Sequence, residues 1–366
     1  MKLALVHDHL IQDGGAEKVL RVLQEIWPQA PTYVLFFHKK NFPDVVNKKI
    51  YSSFLQKIPL VKQKFQWLLP LMPAATESHN LSSFNVVISS SSAFSKGVIT
   101  QPGTKHICYC HTPTRYLWSD THSYVSELRV PWFIKALLPP VLSRLRLWDR
   151  AAADRVDFFI ANSKTVQERI KKYYGRDSVV IHPPVETQNF FLSSEPKKYF
   201  LVGGRLVPYK RYDLIIRAFN RLGLPLKIFG TGPIEADLKK IAGKNIEFLG
   251  RVSDQERAGL YANCLAFLHP HEEDFGLTAV EAMASGRPVI ALKKGGATET
   301  VVEGVTGEFF DEQIWEDLAD RLVRFDEKKY DPQIIKNHAE KFGAERFKQE
   351  MVEVVRKVSE KMVNSR

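Results

Sequence analysis

CLAFLHPHEEDFGLTAVEAMASGRPVIAL, residues 264–292, reads as a strand, a loop, a short helix and a second strand. CLAFLHP and RPVIAL are apolar runs bounded by turn residues, and AVEAMA between them is made of helix formers leading to Gly286. Two strands joined through a helix are the repeating unit of a parallel sheet. The same alternation runs along the whole chain. KLALVH, PTYVLFF, NVVISSS, KHICYCH, DFFIANS and SVVIHPPV read as strands of one sheet; after Pro183-Pro184 the pattern restarts with YFLVGG, PLKIFG and NIEFLG. The expected fold is α/β, with two Rossmann-like domains at residues 1–186 and 187–344. The amphipathic closing segment, about 345–366, is a candidate to pack back on the first domain. Open sheets of this kind bind ligands at the carboxyl ends of their strands, and in a facing pair of domains those ends line one cleft.

The 366 residues are 44% hydrophobic and 25% charged, apolar enough to fill two cores. No run approaches the ~18–20 apolar residues of a membrane span. The opening MKLALVHDHL is broken by His7 and Asp8 too soon for a secretory signal and reads as a buried first strand. Three cysteines, Cys108, Cys110 and Cys264, are too few for a disulfide framework and fit a reducing cytoplasm. Cys108, Cys110 and His111 could suggest a metal site, but no second Cys pair follows, and buried strand cysteines are the better reading. The net charge of +11 lies in the first half: residues 1–186 hold 24 Lys and Arg against 14 Asp and Glu, the remainder 28 against 27. Such a bias suits a nucleic acid, an acidic lipid surface or a phosphate-bearing substrate. No helix-turn-helix, zinc or RNA-binding signature accompanies it, so no nucleic-acid partner is expected.

Within the opening stretch, Glu273 and Glu281 flank Phe275, Gly276 and Leu277. Eight positions make a little over two helical turns, so both carboxylates can face one ligand, and the N–H groups of Phe275, Gly276 and Leu277 can meet an anion at the helix start. Each acid alone would be an ordinary solvated residue of an amphipathic helix. VGGRLVPYKR puts Gly203 and Gly204 at a strand end with Arg205 and Lys210 on the loop after it. Two cations beside a glycine turn can neutralise a diphosphate without a metal. Gly14 and Gly15 in QDGGAEKV similarly precede a helix, and His111 ends the strand KHICYC just before Thr112-Pro113. A Gly-Gly turn and a strand-end histidine also have ordinary structural uses.

The 269–291 segment resembles the Glu, seven residues, Glu signature of retaining glycosyltransferases of family 4, which have the GT-B fold. QDGGAEKV, CYCHTPTRYLW, FIANS, VVIHPPV and VGGRLVPYKR match the family in order along nearly the whole chain. CHTPTRYLW is similar to bacterial mannosyltransferases of polysaccharide assembly that use GDP-mannose. The resemblance implies a catalytic set of His111, Arg205, Lys210 and Glu273. It implies a donor site of Gly14, Gly15, Gly204, Arg205, Lys210, Gly230, Arg251, Val252, Glu273, Phe275, Gly276, Leu277 and Glu281, with Glu281 on the ribose. Arg115, Tyr116 and Trp118 fall on the acceptor side. It implies transfer with retention through an oxocarbenium-like transition state, the donor phosphate taking the acceptor proton, with no metal or other cofactor. The acceptor would be lipid-linked or a polysaccharide. A UDP-sugar donor or a nucleotide-sugar epimerase of the same fold is the alternative.

Residues 48–73 and 129–150 each mix Lys and Arg with Trp, Phe and Leu. That composition suits either core-facing helices with basic outer faces or a peripheral position on the anionic inner face of a membrane, where Trp67, Leu68, Trp132, Phe133, Lys62, Lys64 and Lys135 would make the contact.

Overall fold

The computed structural model describes residues 1–11, 14–38, 49–59, 65–121, 125, 132–195 and 198–360. The chain divides into two compact units, one of Met1–His182 together with the segment from Phe347 onward, the other of Pro183–Arg346. In the first, seven strands are seen among the described residues: β1 Leu3–His7, β2 Thr32–Val34, β3 Ile50–Ser52, β4 Val86–Ser91, β5 Lys105–Cys110, β6 Phe158–Ala161 and β7 Ser178–Val180. They form one parallel sheet in the order β3-β2-β1-β4-β5-β6-β7. Every residue of β1 and β4 is buried, because helices cover both faces. Continuous apolar runs, rather than alternating ones, are the sequence mark of that burial.

The second unit holds a six-stranded parallel sheet, again among the described residues: β8 Phe200–Gly203, β9 Leu226–Phe229, β10 Ile246–Gly250, β11 Phe267–His269, β12 Val289–Leu292 and β13 Gly307–Phe310. Its order is β10-β9-β8-β11-β12-β13. In both sheets the order reverses once, between β1 and β4 and between β8 and β11. Crevices open at the carboxyl ends of strands at such switch points, which is where ligands of doubly wound sheets bind.

Two short strands, β3 and β13, go beyond those read from the sequence. The closing segment is the helix Ala344–Glu360, preceded by the helix Pro332–Ala339 and a short turn at Glu340–Phe342. Phe347, Met351 and Val355, spaced four apart, form one stripe buried in the core of the first unit with Leu5, Leu23 and Ile107. The helix Trp132–Asp154 buries Leu142 and Leu145 beside Phe36 and Phe94, while Leu137 and Leu147 remain exposed. No helix among the described residues is long and apolar enough to cross a membrane.

Candidate functional site

In the second unit the loops after β8, β9 and β10 pack backbone against backbone. Gly230 donates its N–H to the Gly250 carbonyl oxygen (2.6 Å), and its φ of +106° belongs to the region that favours glycine. A Cβ there would also collide with the carbonyl oxygen of Gly204. Arg251 is exposed just beyond this contact, and Val252 is half-buried against the core.

The chain after Gly204 runs through a tight turn at Pro208–Lys210, and Arg211 adopts a left-handed conformation that starts the next helix. This path turns Lys210 inward and leaves Arg205 exposed. Lys210 Nζ lies 2.7 Å from Glu273 Oε1, and His271 Nε2 lies 3.0 Å from the same oxygen. Burial opposes both charges of the Lys210–Glu273 pair, but each offsets the other's cost, so Lys210 is raised and Glu273 lies well below the usual carboxylate range. The pair bridges the loops that follow β8 and β11, the two strands of the switch point.

Around it stand buried polar atoms with no hydrogen-bond partner among the described residues: Tyr212 Oη and both ring nitrogens of His269. Burial and the neighbouring His271 pull His269 down to about 3, so its ring is neutral. Gly276, at φ +88°, starts the helix Leu277–Ala284 against that ring. A second Gly-Gly pair, Gly295-Gly296 after β12, supports the same loop, Gly296 donating its N–H to the Glu273 carbonyl oxygen (2.8 Å). Side chains at either glycine would strike Glu273 or Phe275. Glu281 has a separate set of partners, Tyr261 Oη at 3.2 Å and Arg257 Nε at 3.6 Å.

His269, His271 and Glu273 also bring three groups able to ligate a metal within 4.8 Å of one another. Lys210 already places a fixed positive charge on the shared carboxylate, which opposes a second cation there.

In the first unit, His111 follows β5 and sits beside the end of β4, its Nε2 2.8 Å from Ser90 Oγ. Gly14 and Gly15 open the helix Gly15–Ile26, where the Gly14 N–H donates to Glu17 Oε2 (2.9 Å), one arm of a capping box. Arg115 pairs with Asp120 (2.7 Å). The Trp118 ring stacks on Tyr173, and its Nε1 donates to Asp149 Oδ2 (2.8 Å). Asp149 is buried and also accepts from Thr114 Oγ1, Tyr174 Oη and the Lys96 ammonium. One carboxylate thus ties the 112–118 loop to the turn after β4, to the end of the helix Lys164–Tyr174 and to its own helix, Trp132–Asp154.

The sequence singled out neither Asp149 nor Lys96, since an isolated acid in a helix and an isolated lysine in a loop leave no local signal. His269 and His271 did have one, the His-x-His spacing just before Glu273. Gly295-Gly296 had another, as a glycine pair at a strand end. Lys62 and Lys64, and the side chains of Trp132 and Phe133, lie outside the described residues; Trp67 is 61% exposed and Leu68 half-buried.

A model of the Glycosyltransferase Family 4 domain matches residues 14–189, and one of Glycosyl transferases group 1 matches residues 184–342. The chain belongs to the family 4 type of glycosyltransferase. It is 27% identical over 222 residues to an uncharacterized glycosyltransferase of Methanocaldococcus jannaschii, covering 59% of this chain and 63% of that protein. It is 30% identical over 200 residues to the D-rhamnosyltransferase WbpZ of Pseudomonas aeruginosa, covering 51% of each. These alignments span only about half to two thirds of the relatives' own lengths. A crystal structure of Anabaena HepE in complex with UDP and glucose superposes over 97% of this chain and 99% of that one, with a TM-score of 0.72 at 19% identity. The architecture of this family 4 chain is accordingly GT-B.

Arg205→Ala is expected to weaken donor use by roughly 1.5–3 kcal/mol, the worth of one charge-assisted contact, while changing stability by less than about 0.5 kcal/mol. The side chain is exposed, and contacts of exposed charged groups contribute little to stability. Steady-state kinetics beside thermal melts check this; wild-type kinetics in the folded variant would remove Arg205 from the site.

Proposed function

We propose that the protein transfers a sugar, mannose from GDP-mannose, to a hydroxyl of a lipid-linked or polysaccharide acceptor, with retention at the anomeric carbon. The observation that carries this reading is the Lys210–Glu273 pair at the β8/β11 switch point, ringed by the unpartnered polar atoms of Tyr212 and His269. Lys210 and Arg205 hold the diphosphate as it departs, so the charge that a metal would neutralise elsewhere is carried by side chains. Glu273 binds sugar hydroxyls, Glu281, held by Tyr261 and Arg257, binds the ribose, and His111 addresses the sugar. The mannose reading rests on the CHTPTRYLW resemblance. It is also supported by WbpZ, whose named sugar, D-rhamnose, is 6-deoxymannose and has the same configuration at C2. UDP and glucose in the HepE complex favour a UDP-sugar as the second reading.

A thermal-shift panel of nucleotide sugars tests the donor. GDP-mannose at 100 times its dissociation constant is expected to stabilise the fold by about 2.7 kcal/mol, and UDP-glucose by less. The reverse ranking would exchange the two readings. Sugar transfer to an added acceptor separates a transferase from an epimerase.

The acceptor reading extends to a peripheral position on an anionic membrane. Trp67, Leu137 and Leu147 are exposed on the unit that holds the charge excess, with Arg144 exposed between the last two. Co-sedimentation with vesicles is expected to require anionic lipid and to weaken as salt is raised, each basic residue near the surface contributing about 1 kcal/mol. A protein that ignores anionic vesicles at low salt and glycosylates soluble acceptors equally well would refute the membrane reading.

A further inference from the structure

At the β1/β4 switch point of the first unit, four side chains are joined in series, and three of them have no part in the mechanism above. The Glu17 carboxylate, buried at the start of its helix, accepts the Gly14 N–H through Oε2. Its Oε1 lies 3.7 Å from His7 Nε2, an ion-pair separation rather than a hydrogen bond. The other ring nitrogen of His7, Nδ1, lies 3.1 Å from the Ser90 carbonyl oxygen and 3.2 Å from Ser90 Oγ. Ser90 Oγ in turn lies 2.8 Å from His111 Nε2.

Donor and acceptor chemistry fixes the protons along this series. A carbonyl oxygen only accepts, so His7 Nδ1 carries a hydrogen; the carboxylate beside Nε2 favours a second one. His7 is then an imidazolium. Burial works against that charge, but the nearby Glu17 carboxylate, with Asp8 adjoining, more than offsets it and raises the His7 pKa. With His7 donating towards it, the Ser90 hydroxyl directs its own hydrogen to His111 Nε2. His111 accepts because burial, together with the His7 charge, pulls it down to about 4 and keeps it neutral. The remaining groups that face these rings do not alter the outcome. Asp8 has its oxygens bound by the N–H groups of Ser92, Ala93, Phe94 and Ser95, His9 is held neutral mainly by burial, and Tyr109 meets His111 edge-on.

We propose that Glu17, His7 and Ser90 are positioning residues that hold His111 as the neutral Nδ1–H tautomer, so that it meets the sugar as a hydrogen-bond donor and cannot serve as a general base. The inference deepens the sugar-site reading of His111 and rests on it for its functional meaning. It also ties the Gly14–Gly15 turn to the histidine through a single buried series of contacts.

The test is imidazole ¹⁵N–¹H correlation spectroscopy on the full-length protein without donor or acceptor, with His7→Asn and His111→Asn used for assignment. His111 is expected to show the Nδ1–H pattern throughout about pH 5–8, and His7 both nitrogens protonated at neutral pH. Glu17→Gln is expected to leave His7 neutral at that pH with its hydrogen still on Nδ1, and Glu17→Asp to restore the wild-type pattern. An Nε2–H or mixed His111, or a neutral His7, in the wild type overturns the proposal. So does a Glu17→Gln spectrum identical to wild type. Should Glu17→Gln fail to fold, the wild-type spectrum and Ser90→Ala decide: loss of the single tautomer in Ser90→Ala supports the series, and its retention overturns it. No sugar is present in these spectra, so they can fail while transfer from GDP-mannose succeeds, and the reverse.

Discussion

Lys210→Ala is expected to lower donor-dependent kcat/KM by roughly 10- to 150-fold and, in the same variant, to destabilise the fold by about 3 kcal/mol. The first effect follows from losing a cation assigned to the departing diphosphate. The second follows from the structure: the Glu273 carboxylate, 2.7 Å away, would be left in a largely buried position without its counter-charge. Breaking one side of a buried pair costs about 3–5 kcal/mol because the surviving ion stays desolvated, and the partial exposure of Glu273 puts this case at the low end. Lys210→Met combined with Glu273→Gln removes both charges. It is expected to recover most of the stability and none of the activity. Urea melts and transfer kinetics on the single and double variants decide the matter. A Lys210→Ala protein as stable as wild type would show that the pair carries no folding energy, and an active double variant would remove both residues from the reaction.

The largest effect on stability alone is expected at Asp149. Asp149→Ala removes the acceptor shared by Lys96, Thr114, Trp118 and Tyr174, and leaves the Lys96 ammonium fully buried and uncompensated. The loss should reach about 3–5 kcal/mol. For a unit of this size that corresponds to roughly 6–20 °C in Tm. The 112–118 loop, which carries the residues assigned to the acceptor side, should loosen before the sheet does, seen as faster amide exchange at Leu117 and Trp118, whose N–H groups bond within that loop. Lys96→Met with Asp149→Leu is expected to be more stable than Asp149→Ala alone, because it leaves no buried charge. Melting of Asp149→Ala within about 2 °C of wild type would mean that the carboxylate is replaceable by water and that the loop is held by packing alone.

These residues divide by how far their signals lie apart in the chain. The sequence by itself determined the parallel α/β class, because the runs at KLALVH, NVVISSS, YFLVGG and RPVIAL carry their burial in their own composition, both faces being covered. It also determined the glycine turns and the Glu273-to-Glu281 spacing, which are local facts of strand end and helix pitch. Strands β3 and β13 were not legible, being short and lacking a distinctive run. Only the tertiary structure decided that Lys210 faces Glu273, that Asp149 gathers four donors, and that Glu17 reaches His111 through His7 and Ser90. Each of these joins residues brought together by strand order: β8 beside β11, β1 beside β4, β4 beside β5. A parallel sheet places strands by crossover rather than by sequence adjacency. A buried charge is tolerated only where that placement supplies its partner, so the partner's identity is a property of the fold and leaves no mark on the local sequence.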